Sequence, residues 1–368
     1  MKTIAWALLT TVFAMGSAMP AHSTAPAAKM IQLKELWHVG GDSDAEGEAF
    51  GSIYDLTVDA DGNVYILDGQ AVEVRMFSRD GAYIRAFGRE GEGPGEFRYP
   101  MGVVMLPDKR MAVYQSSPPR LVAFDRNGNS SDLSIDIDSD HPIQFLSNVQ
   151  CAKDSIVITG MDIRMSPQVQ ERISRVMRFD AQGRFMCELA ASTARLEFDK
   201  PVTRDERSPY VRCGASGTAY IADCWNYHID AYEPNCATRN VIEQGHEHRH
   251  RTSREIADIE AYYRRVGGTQ GVQLDISKYD PDVRWMGVDA GDRLWVLPSR
   301  EDKSEGSLGV FDVFNPMRQA VGSFDLKGET AARDMYFLRG DRFFVVHVPA
   351  SDKDLEPASV SCYQLPVI

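Results

Sequence analysis

The sequence predicts an all-β fold, a six-bladed β-propeller of four-stranded antiparallel blades, and three observations predict it. A unit made of a strand, a tight polar turn and an apolar strand recurs six times. A second hairpin follows five of those units. The strand missing from the sixth unit is matched by a spare strand near the N-terminus.

The first 23 residues read as a secretory signal. Met1-Lys2 is a short positive start, Ile4 to Met15 is an apolar run, and Ala21-His22-Ser23 places small residues at the two cleavage positions. The run is too short for a membrane span, and no other segment approaches the roughly 20 apolar residues a span needs. The expectation is an exported protein, periplasmic or extracellular, without membrane insertion. Residues 24–368 then form a single propeller domain. Lys2 is the one charged side chain of residues 1–23, so its loss takes the formal net charge from −13 to −14. Such a surface repels phosphate backbones and anionic headgroups, which excludes nucleic acid as a partner class. The six cysteines, Cys151, Cys187, Cys213, Cys224, Cys236 and Cys362, all follow the signal. Their spacing allows several pairings and selects none, and there is no C-x-x-C.

The six primary hairpins are "LTVDADGNVYILD" (56–68), "VVMLPDKRMAVYQ" (103–115), "NVQCAKDSIVITG" (148–160), "YVRCGASGTAYIAD" (210–223), "MGVDAGDRLWVLP" (286–298) and "MYFLRGDRFFVVH" (335–347). Asp-Gly and Gly-Asp supply the positive φ that tight turns require, and continuous runs such as Leu294 to Leu297 suit strands buried on both faces. The second hairpins are "MFSRDGAYIRAF" (76–87), "AFDRNGNSSDL" (123–133), "RFDAQGRFMCEL" (178–189), "AYEPNCATRNVI" (231–242) and "VFNPMRQAVGSF" (313–324). The sixth unit stops one strand short at "SVSCYQLPVI". The unassigned "KMIQLKELWHV" (29–39) is predicted to complete it, so that the ring keeps no open edge.

The glycine-rich stretch "FGREGEGPGEFRYP" (87–100) joins the outer strand of blade 1 to the inner strand of blade 2. A phosphate loop would need a helix after its glycines, whereas "YPMGVVML" follows, and Glu90, Glu92 and Glu96 would repel phosphate. Phe97 is expected to wedge between the blades. "FGREGEGPGEFRYPMGV" with "VDADGNVYILD" resembles the NHL-repeat propellers, and more closely the secreted bacterial six-bladed propellers with NHL-like blades. The resemblance implies the fold, since that bacterial group mostly lacks an assigned activity. Its amidating-lyase relatives hold a metal with histidines from different blades, and no motif here matches theirs.

Two insertions fall on the face built from blade-joining loops and second-to-third-strand loops. "ASTARLEFDKPVTRDERSP" (191–209) reads as charged and irregular. Residues 245–282, between blades 4 and 5, contain a predicted helix with a Thr252-x-x-Glu255 capping box, an apolar stripe of Ile256, Ile259, Tyr263 and Val266, and a Gly267-Gly268 stop. It is a candidate lid over the channel; the plainer reading is packing on the rim. His246, His248 and His250 of "HEHRH" are candidate metal ligands, but Arg249, Arg251 and Arg254 oppose a divalent metal, and a solvated basic loop is the plainer reading. "GGDSDAEGE" (40–48) has the composition but not the spacing of a calcium loop.

Candidate ligand-binding residues are Asp68, Gln115 and Asp223, where second strands end, with Trp225, Tyr227 and His228 just beyond, and Arg300 after blade 5. Aromatic and guanidinium groups there would hold a polar ligand; the competing reading is that strand-end Asp residues satisfy loop amides. No nucleophile-elbow, zinc-protease, triad-like or P-loop signature occurs. The leading expectation is a monomeric binding or interaction module for a small molecule, glycan or protein ligand on one propeller face. The alternative is a lyase or hydrolase at the channel mouth, with a divalent metal as its candidate cofactor.

Overall fold

The computed structural model describes residues 28–137, 140–197, 202–203, 209–245, 247–266, 274–300, 305–331, 333–348 and 357–368. The predicted signal segment therefore lies outside the described residues, as does His246. The strands form six blades, each with an inner strand first and successive strands stepping outward. Blade 1 comprises Ile53–Val58, Val64–Asp68, Glu73–Phe77 and Tyr83–Phe87, and blade 2 comprises Pro100–Met105, Met111–Gln115, Arg120–Phe124 and Ser130–Leu133. Blade 3 contains Phe145–Ala152, Ser155–Met165, Val169–Asp180 and Phe185–Glu197, and blade 4 contains Tyr210–Cys213, Ala219–Ala222, His228–Tyr232 and Arg239–Glu243. Blade 5 runs through Val283–Val288, Leu294–Pro298, Ser307–Phe314 and Ala320–Lys327. Blade 6 has Met335–Arg339, Arg342–His347 and Ser359–Gln364 from the C-terminal region, with Lys34–Gly40 outermost.

Ring closure by the N-terminal segment is as predicted, with one correction. Lys34–Gly40 pairs antiparallel with Ser359–Gln364, but Lys29–Gln32 leaves blade 6 and runs parallel to Ala320–Lys327 as a fifth strand of blade 5. The pairing with the last strand is used up where Lys34 meets Gln364, while the outer edge of blade 5 still offers unpaired backbone groups. Leu33, at the switch, is buried between the two blades, and its N–H donates to the Lys327 carbonyl at 2.9 Å.

The core is a set of six apolar slabs, one between each pair of neighbouring blades. Phe97 is fully buried in the slab between blades 1 and 2, as its position after the glycines predicts. A Cβ on Gly88 would lie 2.2 Å from the Phe97 ring, and Gly88 has φ +77°, so glycine is required there on both counts. Among the described residues the slab between blades 3 and 4 is the thinnest, with six buried apolar side chains against eleven to thirteen in each of the others. The disulfide lies at this junction: Cys187 on the outer strand of blade 3 is bonded to Cys236 in the last turn of blade 4, while Cys151, Cys213, Cys224 and Cys362 remain thiols.

Blade 3 supplies a second correction. Residues 191–197 are not irregular, because Phe185–Glu197 continues as strand beside an equally extended Val169–Asp180. Polar residues interrupt both strands there, which a reading for continuous apolar runs passes over. Farther on, Val202–Thr203 pairs parallel with Leu274–Asp275, tying the two insertions together. The predicted helix is present as Ser253–Val266, with Glu255 and Thr252 making the reciprocal capping bonds. None of its described side chains is buried: Ile256, Ile259 and Tyr263 are half-buried.

Candidate functional site

Two strand-end residues on the loop-bearing face prove to be braces. Asp68 is fully buried and accepts the amides of Gly51, Ser52, Gln70 and Ala71 at 2.8 to 3.1 Å, with Arg75 3.4 Å away. Gln115 accepts the Arg98 amide and donates to the Pro118 carbonyl. Each stitches one blade entry to the next loop, which is the plainer of the two readings for a strand-end polar group.

The other candidates gather at the corner between blades 4 and 5. Asp223 is exposed and accepts the amides of Trp225 and Asn226, shaping the turn that carries the aromatics. Tyr227 is turned inward and donates its hydroxyl to Asp312 at 3.1 Å; burial, and then the Asp312 carboxylate, push that hydroxyl above the ordinary tyrosine range. Arg300 donates to both oxygens of the same carboxylate at 2.7 and 2.8 Å, and Ser323 adds a third donor. Asp312, buried on the third strand of blade 5, is thus the hub on which two predicted residues meet. Trp225 is half-buried and lies under the guanidinium of Arg251 at 5.9 Å.

Beside this hub opens a cleft of about 680 Å³ lined by Asp223, Tyr227, His228, Glu243, His248 and Asp282, among others. His228 has a carboxylate on each ring nitrogen, Glu243 at 2.8 Å from Nδ1 and Asp230 at 3.1 Å from Nε2. Partial burial works against its charge, but the two acidic partners prevail and raise its pKa above the ordinary imidazole value. His248 places Nδ1 2.9 Å from the buried Asp282 carboxylate. With Nδ1 donating to that carboxylate, Nε2 is the basic nitrogen.

The arginines of "HEHRH" and its flank do not supply loose positive charge, contrary to the sequence reading. Arg249 is paired with Asp280 and Glu255, Arg251 with Asp280, and Arg254 with Asp258. Their partners are some thirty residues downstream or on the helix, so a local charge count overstates the basic character. His250 packs against Tyr279, ring centroids 4.5 Å apart, rather than joining His248. Among the described residues no group of three His, Cys, Asp or Glu side chains is arranged to hold a metal ion. The described helix residues line neither this cleft nor the channel pocket described next.

At the other end of the channel, where the inner strands finish, a second pocket of about 340 Å³ is lined by Thr57, Val104, Gln150, Arg212, Val288 and Arg339, among others. None of the residues lining this pocket was a candidate site residue in the sequence reading. Asp312, Asp282 and Arg212 share one reason: each is a single polar residue inside an apolar strand or at its start, a pattern that also fits an outward-facing position. Blade 6 carries a further polar series, in which Asp334 accepts from or faces His347 Nδ1 at 3.0 Å and His347 Nε2 lies 3.1 Å from the Ser361 hydroxyl. His38 Nδ1 sits 2.9 Å from the same hydroxyl. Ser361 is fully buried within the sheet, so the series braces the closing seam instead of presenting a nucleophile.

Comparison with known proteins agrees with the fold. A family model described as a 6-bladed beta-propeller matches residues 48–139. A search of the curated proteins finds no match. Among solved structures, a putative exported protein from Bacteroides fragilis is similar at TM-score 0.51 and 10% identity, covering 92% of this chain and 100% of that one. A Bacteroides thetaiotaomicron protein of unknown function has TM-score 0.45 and 8% identity over 90% of this chain and 75% of its own. Virginiamycin B lyase from Staphylococcus aureus has TM-score 0.40 and 10% identity over 90% and 89%. At such identities the Bacteroides fragilis protein shares the fold alone with this chain, which is a six-bladed β-propeller of four-stranded antiparallel sheets.

Proposed function

We propose that this chain is an exported ligand-binding propeller whose site is the cleft between blades 4 and 5. The observation that carries the reading is the pre-positioned polar lining of that cleft: Tyr227 is fixed by Asp312, His228 by Glu243 and Asp230, and His248 by Asp282. Side chains held by neighbours lose little freedom when a ligand arrives. Three lining carboxylates, Asp223, Glu243 and Asp282, face one imidazole whose pKa is raised. The lining therefore favours an amine-bearing or polyhydroxylated small molecule or glycan over an anion. The start of the sequence, with Lys2 before the apolar run, and the Cys187–Cys236 disulfide support export.

One observation favours a second reading, a lyase or hydrolase. A buried carboxylate orienting an exposed imidazole is the arrangement that general bases use, and His248 with Asp282 has it. Calorimetric titration of the purified protein with glucosamine, N-acetylglucosamine oligomers and spermidine tests both. Binding that is lost in Asp282→Asn, with every probe recovered intact, supports the binding module. Conversion of a bound probe that stops in His248→Gln supports the enzyme, and no heat with any probe counts against the cleft as a glycan or amine site.

A further inference from the structure

The pocket at the opposite end of the channel presents the reverse electrostatics. Arg212 and Arg339 stand at or next to the ends of the inner strands of blades 4 and 6, and they are bonded alike. Arg212 donates Nε to the Met286 carbonyl of blade 5 at 2.9 Å and Nη1 to the Val211 carbonyl at 2.8 Å. Arg339 donates Nε to the Leu56 carbonyl of blade 1 at 3.0 Å and Nη1 to the Leu338 carbonyl at 3.1 Å. Each guanidinium therefore clamps its blade to the next one round the ring. The clamp uses Nε and Nη1 and leaves Nη2 for something else. In Arg339 it reaches Asp55 at 3.2 Å. Arg212 has no carboxylate within ion-pair distance among the described residues.

Asp55 attracts Arg212 from a distance but forms its ion pair with Arg339, so compensation of Arg212 is partial. Asp289, the carboxylate in the pocket lining, is matched by Arg293 at 2.7 Å. Cys151 and Cys213 also line the pocket, and burial raises both thiol pKa values, that of Cys213 to about 12, so both are neutral. Burial, and then the like charge of Arg339, disfavour the charged form of Arg212 and outweigh the attraction of Asp55. A role confined to clamping accounts for the bonded nitrogens but not for a partly compensated positive charge in a chain of net charge −13. The rest of the wall is mixed, an apolar patch of Val58, Val103, Val104, Val149, Val288 and Leu338 beside the polar Thr57 and Gln150.

We propose that this end of the channel is a binding site for a small organic carboxylate, the anion held by Arg212 and Arg339 and the apolar body by the valine-rich wall. The site is separate from the cleft between blades 4 and 5 and does not depend on that reading. The space of about 340 Å³ suits a ligand of a few carbon atoms and not a polymer. Carboxylate matches the planar guanidinium fork, and the apolar patch selects it over a fully hydrated inorganic anion.

Calorimetric titration of the full chain at low ionic strength, with hexanoate, hexanol and inorganic phosphate as probes, tests the assignment. Hexanoate is expected to bind with one-to-one stoichiometry, more weakly as salt is raised, while hexanol gives no heat and phosphate binds less tightly. Arg212→Gln is expected to weaken hexanoate binding at least about tenfold. Because Arg212 also clamps two blades, Ala215→Trp serves as a second variant. Ala215 is exposed, lines the pocket and makes none of the clamp's hydrogen bonds, so the indole is expected to compete for the space and hexanoate binding should disappear. The proposal is overturned if hexanoate gives no heat at millimolar concentration, if hexanol binds as well, if phosphate binds more tightly, or if either folded variant retains full affinity.

Discussion

The Tyr227 hydroxyl of blade 4 donates to the Asp312 carboxylate of blade 5 across 3.1 Å, in a site where both residues are buried. The same carboxylate receives Arg300 and Ser323, so three donors from two blades converge on one buried charge. Asp312→Ala strands the Arg300 guanidinium and the Tyr227 hydroxyl, and is expected to cost about 3 kcal/mol. Tyr227→Phe removes one hydrogen bond and should cost about 1 kcal/mol. Urea unfolding of the two variants checks the order, and a Tyr227→Phe loss equal to that of Asp312→Ala would show that the hub is not Asp312.

The thinnest apolar slab coincides with the disulfide, and we expect the two to be coupled. Thiol titration of the denatured, unreduced protein should find four thiols, those of Cys151, Cys213, Cys224 and Cys362. The Cys187→Ser, Cys236→Ser double variant should lose about 4 kcal/mol, the loop-closure value for a separation of 49 residues. Hydrogen exchange should then rise first in the facing strands Ser155–Met165 and Tyr210–Cys213, while the junction of blades 5 and 6 stays protected.

Arg178 is fully buried at that same junction, with Nε and Nη1 lacking partners and Nη2 only 3.5 Å from the Tyr232 carbonyl. Burial lowers its pKa. Replacing a poorly satisfied buried cation with an apolar group of similar length should help, so Arg178→Met is expected to stabilise the protein by about 1 to 3 kcal/mol. Denaturant unfolding checks the sign. A loss of stability would mean that the guanidinium has a compensating partner such as bound water.

His228 should make the blade 4 edge sensitive to pH. Its folded-state pKa is raised, because Glu243 and Asp230 outweigh the effect of burial, so the folded state holds the proton more tightly than the unfolded one. The resulting stabilisation is complete below the unfolded imidazole value, near 6.5, and is lost as pH climbs through the higher folded value. Thermal unfolding of the native chain and of His228→Gln at pH 5.5 and pH 8.5 should show a gap that is wider at the acidic pH. Equal gaps at both would exclude His228 as the titrating group.

The hairpins were legible because each is a local event. Asp59 accepts the amides of Asp61 and Asn63 within its own turn, and Asp180 repeats this with Gln182 and Arg184. Such turns leave a mark on a few consecutive residues. Ring closure was legible by subtraction, one strand missing and one spare. The split of residues 29–39 between two blades was not, since it depends on where Ser359–Gln364 stops pairing. The candidate site was half legible: Tyr227 and Arg300 do meet, but Asp312, Asp282 and the partners of Arg249 and Arg251 lie far along the chain. Polar pairs formed across blades carry no periodicity that a linear reading can detect.

The seam joining Trp37 to Cys362 and Lys34 to Gln364 has a consequence for how the molecule is made. Among the first strands to leave the ribosome is one whose partner is almost the last. Until residues 359–364 arrive, blades 1 to 5 form an open arc with a bare edge at each end, and Lys34–Gly40 must wait unpaired. The ring therefore snaps shut as a late, long-range event, the kind that slows folding and invites wrong partners. A chaperone that shields the N-terminal strand during synthesis would protect the whole assembly. Loss of either Lys34–Gly40 or Ser359–Gln364 would open the same seam.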